Sequence, residues 1–264
     1  MYPYLFEIGP VTVASFGLMV ATGFLVAMHI LGRELKSSGI AEPTEVAGLV
    51  INTALIGGLL GSKGYFLFIE VNEPLFSEQW FELLSLKNLG YGLTWYGGFI
   101  VATTAVLWRI KRKQLPVLVI ADCAVIALAI GYAIGRIGCQ LAGDGDYGVP
   151  TDLPWGMAYP NGTVPTLEKV HPAPVYETLS HLFIFVLLKA LSKITWIPGQ
   201  LVAVYFVLAG VARFGVEIIR LNPRVVFGLS EAQIISVLLI IVGLIWGIML
   251  FSQPKDNAIR VRAR

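Results

Sequence analysis

Charge is what this sequence has least of. Only 14% of its 264 residues are Asp, Glu, Lys or Arg, against about 25% in ordinary soluble domains. So few charges exclude a fold whose main face is solvated. A net charge of +2 is too small for a nucleic-acid partner held by its phosphates. Cysteine is nearly absent as well. Cys123 and Cys139, the only two, would stand about 24 Å apart along one helix, and a disulfide needs Cα atoms within about 7 Å. No disulfide framework is expected. Also lacking are internal repeats, low-complexity tracts and a basic region ahead of the first apolar segment. Met1-Tyr2-Pro3-Tyr4-Leu5-Phe6-Glu7 has no positive charge beyond its terminus, so that segment is expected to stay as a helix and not to be cleaved as a signal peptide.

Apolar residues fill the gap. They make up 56% of the chain, and the mean hydropathy is +0.75. Seven apolar segments can be marked, at roughly 11–32, 46–70, 94–109, 116–136, 172–192, 198–217 and 230–252, each near the length that spans a bilayer. The pattern predicts an all-α polytopic membrane protein of about seven transmembrane helices, forming a single membrane-embedded domain over residues 1–264. The third segment is the shortest. Two connections are long. Residues 71–93 mix Trp80, Phe81, Leu83 and Leu84 with Glu78, Glu82 and Lys87, which suits a short amphipathic arm in the interface. Residues 137–171 form the other, a small polar loop region.

Cations set the orientation. If seven helices alternate, Arg33, Lys36, Arg109, Lys111, Arg112, Lys113, Lys189, Lys193, Lys255, Arg260, Arg262 and Arg264 fall on one side. They are twelve of the nineteen cations, so that side is expected to be the cytoplasm. The N-terminus and the 71–93 and 137–171 connections then lie outside, and the C-terminus inside.

Chemistry gathers at the start of the second connection. Gly135-Arg136-Ile137-Gly138-Cys139-Gln140-Leu141-Ala142-Gly143-Asp144-Gly145-Asp146-Tyr147-Gly148 brings a cation, a thiol and two carboxylates to one end of an apolar run. Its glycines and aspartates predict a turn-rich loop from residue 137 onward. A structural alternative is a snorkelling Arg136 beside a plain loop. Within the apolar segments, Lys63 stands in Gly61-Ser62-Lys63-Gly64-Tyr65. Asp122 sits near the start of the fourth segment, where a helix N-terminus favours an anion. Arg213, Glu217 and Arg220, spaced four and three apart, share one helix face. Charges so placed are expensive and face a bundle interior or a cavity.

Several guanidiniums at one depth suit an anion, and arginine's planar fork fits phosphate bidentately. A phospholipid head group is the natural candidate. Transport of a soluble anion would also use cations, yet the matched, interrupted halves common in transporters are missing. His171-Pro172 opens the fifth segment, with His171 at the boundary. His29 and His181 lie inside apolar runs and are expected to pack.

Together these residues resemble the bacterial prolipoprotein diacylglyceryl transferases, over almost the whole chain. The resemblance rests on Gly9-Pro10 with Phe16-Gly17-Leu18-Met19, on Gly61 to Tyr65, and on Gly135-Arg136-Ile137-Gly138. It continues in His171-Pro172, Tyr176-Glu177, Arg213-Phe214, Val216-Glu217, Arg220, Gln233 and Ser236. It implies a multi-pass enzyme of the bacterial inner membrane that moves the diacylglyceryl group of phosphatidylglycerol to the lipobox cysteine thiol of a prolipoprotein, releasing glycerol phosphate. Its partners would be the phospholipid, the prolipoprotein and the membrane, with no nucleic acid, metal or cofactor. Arg136, Arg213 and Arg220 would bind the phosphate with Lys63, and Glu217 would orient the arginines. Tyr96 or His171 would manage the thiol proton, with Asp144 in support.

Two departures from the family's pattern stand out. Tyr96-Gly97-Gly98 replaces a histidine-glycine-glycine, and a phenol titrates near 10 where histidine titrates near 6.5. Cys139 replaces an asparagine. These leave two alternatives open. In one, Cys139 is a nucleophile with His171 and Asp144 or Asp146, and carries an acyl chain from a phospholipid as a thioester. In the other, the chain binds or moves lipid without catalysis.

Overall fold

The computed structural model of the chain describes residues 1–8, 11–70, 78–83, 94–194 and 197–252. Helices dominate, as the apolar segments predict. Among the described residues six helices are long and apolar enough to cross a membrane: α1 (Ser15–Ser37), α2 (Pro43–Tyr65, continuing to Phe68 through a π-helical turn over Phe66–Glu70), α5 (Val117–Ala142), α6 (Ala173–Leu191), α7 (Gln200–Glu217) and α8 (Glu231–Phe251). A short α3 (Glu78–Leu83) and α4 (Trp95–Arg112) complete the set. The sequence expectation of about seven spans therefore meets six by this measure. The shortfall is α4, which has eighteen residues and carries Arg109, Lys111 and Arg112 in its last turn. Apolar residues such as Leu25, Phe183, Val186, Ile245 and Ile248 are exposed on the helices. Helices that are apolar on the outside as well as the inside belong in lipid.

The chain forms two compact units. The larger comprises residues 1–41 and 118–264, and the smaller residues 42–117. In the smaller unit, α2 packs along α4 at very close range. A Cβ on Gly97 would collide with the Gly61 carbonyl oxygen and with Tyr65 Cβ, and one on Gly98 would meet Ser62 Oγ. The close approach of α2 thus accounts for the glycine pair after Tyr96. Gly97→Ala must push the helices apart, and overpacking of this kind lowers stability by about 1–3 kcal/mol. An apparent melting temperature in detergent equal to that of the wild type would contradict it. Of the predicted arm at 71–93, residues 78–83 form α3, where Trp80 is buried against the edge of Phe68. Residues 71–77 and 84–93, including Lys87, lie outside the described residues.

In the larger unit the core is made by α5, α6 and α7, through Val125, Ile126, Ala129, Ile184, Leu188, Leu201, Val202 and Tyr205. Asp122 does not cap its own helix. Its carboxylate accepts hydrogen bonds from Gly199 N at 2.7 Å and Val202 N at 3.0 Å, satisfying orphan donors at the N-terminus of α7. Both cysteines are free and buried.

Among the described residues, three small antiparallel strand pairs were not expected from the apolar pattern: β1 (Tyr4–Ile8) with β2 (Val11–Ala14), β3 (Met157–Tyr159) with β4 (Thr166–Val170), and β5 (Arg224–Val226) with β6 (Leu229–Ser230). Each lies in a connection or ahead of the first helix and leaves the membrane spans helical. A second difference matters more for the site. The loop does not begin at residue 137: α5 runs on to Ala142. Ile137, Leu141 and Ala142 keep the apolar helical pattern going, and one glycine inside a helix is tolerated. The turn starts at Gly143, whose φ is +59°.

Candidate active site

The extension of α5 sets the geometry. Arg136 and Cys139, three apart, fall on one helix face, and Arg136 Nη1 lies 3.2 Å from Cys139 Sγ. Glu177 comes from the second turn of α6, Arg213 and Glu217 from the last turns of α7, and Arg220 from just beyond its end. The loop after α5 supplies Asp144 and Asp146. Gly148 aims that loop. A Cβ there would stand 2.6 Å from the Ile219 carbonyl oxygen and 3.0 Å from His171 Cβ, so only glycine lets the strand segment lie against Arg220, with which Gly148 forms a β-bridge. Asp146, two residues earlier, is thereby carried to the arginines.

Three guanidiniums and three carboxylates interlock. Glu177 is the hub: its Oε2 pairs with Arg136 Nη2, and its Oε1 accepts from Arg213 Nη1 at 2.7 Å and from Tyr132 Oη at 3.2 Å. Arg220 Nη1 stands 3.8 Å from Oε2. Glu217 takes Arg213 Nη2 at 2.8 Å, Asn222 Nδ2 at 2.7 Å and Ser230 Oγ at 2.8 Å. Asp146 bridges the remaining pair, with Oδ2 on Arg136 Nη1 and Oδ1 on Arg220 Nη2 at 2.5 Å. Formal charge cancels, as it must where charges leave water.

The members differ in access. Glu177 and Glu217 are 1% and 0% exposed, whereas Asp146 and Arg213 keep 29% and 27%. Burial would raise the Asp146 carboxyl, but Arg136 and Arg220 outweigh it and hold it at about 2. Asp144 behaves oppositely. Burial and the neighbouring Asp146 charge push it above the usual carboxylate range, against hydrogen bonds from the Cys139 thiol and the Asp146 amide. A carboxyl raised in the fold weighs against stability once pH passes its ordinary value, and fully so above its folded value. Asp144→Asn is therefore expected to melt higher than wild type near pH 7, with the gain fading as pH falls to about 4. An equal or lower apparent melting temperature near neutrality would contradict this.

Of the residues singled out in the sequence, the structure brings Arg136, Arg213, Glu217 and Arg220 into one cluster, with Cys139 and Asp144 at its edge. His171 is engaged elsewhere: its Nδ1 lies 3.1 Å from Tyr176 Oη, which also accepts from Trp155 Nε1 at 2.8 Å. Lys63 and Tyr96 belong to the smaller unit. Lys63 is buried with its ammonium over the Phe66 ring, and Tyr96 is more than a third exposed in the first turn of α4. Missed entirely was the part played by Glu177 and Tyr132. The signal for Glu177 was there, since a carboxylate among apolar residues needs a partner. Cys139, Asp144 and Asp146 each hold one ligand atom within 4.8 Å of the others. Two guanidiniums on Asp146 oppose a cation there.

The family model for prolipoprotein diacylglyceryl transferase matches residues 3–249. The chain belongs to that family. Named relatives agree. A phosphatidylglycerol–prolipoprotein diacylglyceryl transferase of Clostridium tetani is 32% identical over 246 residues, covering 92% of this chain and 96% of that protein. The protein of the same name in Finegoldia magna is 31% identical over 241 residues, covering 91% and 92%. That of Clostridioides difficile is 28% identical over 255 residues, covering 96% of each. As a prolipoprotein diacylglyceryl transferase family member, the chain is a multi-pass membrane protein and a transferase. The cluster just described is made largely of the residues that carried the resemblance: Arg136, Glu177, Arg213, Glu217 and Arg220.

Proposed function

We propose that this chain transfers the diacylglyceryl group of phosphatidylglycerol to the cysteine thiol of a prolipoprotein, releasing glycerol phosphate. The observation that carries the reading is the convergence of Arg136, Arg213 and Arg220 inside an apolar bundle, in a chain of this family. The acceptor's sulfur attacks the glycerol carbon that bears the phosphate. Its electron pair forms the S–C bond, the C–O bond breaks, and that pair leaves on glycerol phosphate. No electron is gained or lost overall, and no cofactor is needed.

Two demands fall on the protein. The leaving phosphate gains charge, which preorganised guanidiniums stabilise without rearranging. Arg213, the most exposed of the three, meets the head group first, and Glu177 and Glu217 hold the forks in place. The thiol must also lose its proton. Asp144 is the proposed acceptor, because its raised carboxyl lies closer to the working pH than an ordinary one and already contacts a thiol. His171, held by Tyr176, is the group suited to pass the proton outward.

If α4 crosses as well, so that seven spans alternate, twelve of the nineteen cations fall on one side, which favours an inner-membrane orientation with the N-terminus outside and the C-terminus cytoplasmic. The test is direct. Purified protein is incubated with phosphatidylglycerol and a lipobox-cysteine peptide, and the peptide is weighed by mass spectrometry. A diacylglyceryl adduct is expected. Acylated Cys139 with an unmodified peptide would replace this reading with the thioester one, and lipid movement without any covalent product would replace it with a carrier.

A further inference from the structure

Asp146 differs from the other two acids of the cluster in its place in the fold, its exposure and its side-chain partners. Glu177 and Glu217 sit on helices, are fully enclosed, and are held by Tyr132, Asn222 and Ser230 as well as by arginines. Asp146 sits on a loop and reaches solvent. Gly143 and Gly145, with φ of +59° and +90°, give that loop backbone states open to glycine and strained for other residues. Its described side-chain partners are the two guanidiniums alone.

The form of the contact is as telling. One oxygen rests on Arg136 and the other on Arg220, which is how the two free oxygens of a phosphodiester would meet the same pair. Arg136 keeps a further donor, because its Nε is buried with no hydrogen-bond partner among the described residues. Charge forbids both anions at once. Three guanidiniums balance three carboxylates; a phosphate added to them would leave one negative charge in excess in a partly enclosed site, and like charges brought together in this way repel. One carboxylate must give way, and Asp146 is the most exposed of the three and the one held by guanidiniums alone.

We propose that Asp146 is a tethered stand-in for the substrate's phosphate, holding Arg136 and Arg220 in the resting protein and exchanging with a phosphate ester when one binds. The inference rests on the reading of this cluster as a phosphate site. Exchange serves two ends. With no lipid bound, Asp146 supplies the third negative charge of a cluster whose three guanidiniums Glu177 and Glu217 would otherwise leave with one positive charge in excess. After transfer, glycerol phosphate carries more charge than the diester did and would cling to a cluster left with one positive charge in excess. Asp146, returning on its loop, competes for the guanidiniums and expels it.

Asp146→Asn keeps the shape and removes the charge. Titration of the purified variant with glycerol phosphate, and with phosphatidylglycerol in mixed micelles, is expected to give affinities tighter than wild type by about tenfold or more, while turnover falls because release slows. Binding that is unchanged or weaker would overturn the proposal, leaving Asp146 as a structural bridge. Tightening for glycerol phosphate alone would overturn it for the entering lipid and keep it for the product. If the variant does not fold, hydrogen–deuterium exchange on the wild type decides. Adding glycerol phosphate should speed exchange at residues 143–148, as the loop lets go, and slower or unchanged exchange would overturn the proposal. Arg220→Gln separates the two levels. If it binds glycerol phosphate as well as wild type does, the phosphate site itself is wrong. If it loses binding while Asp146→Asn fails to tighten it, the exchange alone is wrong.

Discussion

Glu177→Leu is expected to abolish transfer and to lower stability by about 3–5 kcal/mol, the usual consequence of removing one partner from a buried ionic network. The leucine would leave Arg136 and Arg213 without the carboxylate that fixes their forks, and Tyr132 without an acceptor. A formal charge of +1 would then remain among apolar helices. Glu177→Gln should be milder for the fold, because an amide oxygen still accepts from Tyr132 or Arg213, yet it leaves the same charge unbalanced. Thermal unfolding in detergent and the peptide-lipidation assay read the two effects separately. A further check is the double variant with Arg136→Met, which removes charge of both signs. Its loss of stability should be well below the sum of the two single losses, since residues in one network are coupled. Strict additivity would refute the hub.

Arg136→Gln carries the second large effect, here on rate. Arg136 touches Glu177, Asp146 and Cys139 at once and is positioned to meet the leaving phosphate. Loss of a single preorganised donor typically lowers turnover by about 10²–10³, and a fall of that size or greater is expected in a protein that still folds. Arg136→Lys should not restore it. An ammonium supplies the charge but not the fork that spans two carboxylates. Full activity in either variant would remove Arg136 from the chemistry.

Much of this was legible in the residues. Hydropathy found every long helix, although α1 and α5 run five and six residues past their expected ends, and the spacing of Arg213, Glu217 and Arg220 foretold a shared face that survives even though α7 ends at Glu217. What remained hidden has physical causes. Gly138 looked like a helix breaker, but flanking Ile137, Leu141 and Ala142 outweigh one glycine, so Arg136 lies well inside α5 and not at its end. Glu177 follows a proline-rich helix start, where acids are common for local reasons; its apolar setting called for a partner, but only tertiary contact reveals which three cations supply it. The hairpins are short, and their strands do not announce themselves against so apolar a background. Asp146 was one of two equivalent-looking loop acids; only the approach permitted by Gly148 distinguishes it.

The Asp122 contact with Gly199 and Val202 has a mechanical consequence. It pins α5 to α7 near one end, while Arg136 ties α5 through Glu177 to Arg213 some fourteen residues away, about 21 Å along the helix. A beam clamped at two such points can neither slide nor turn against its neighbour. The exchange proposed for Asp146 therefore asks nothing of the α5–α7 pair and falls to the short span of chain beyond Ala142.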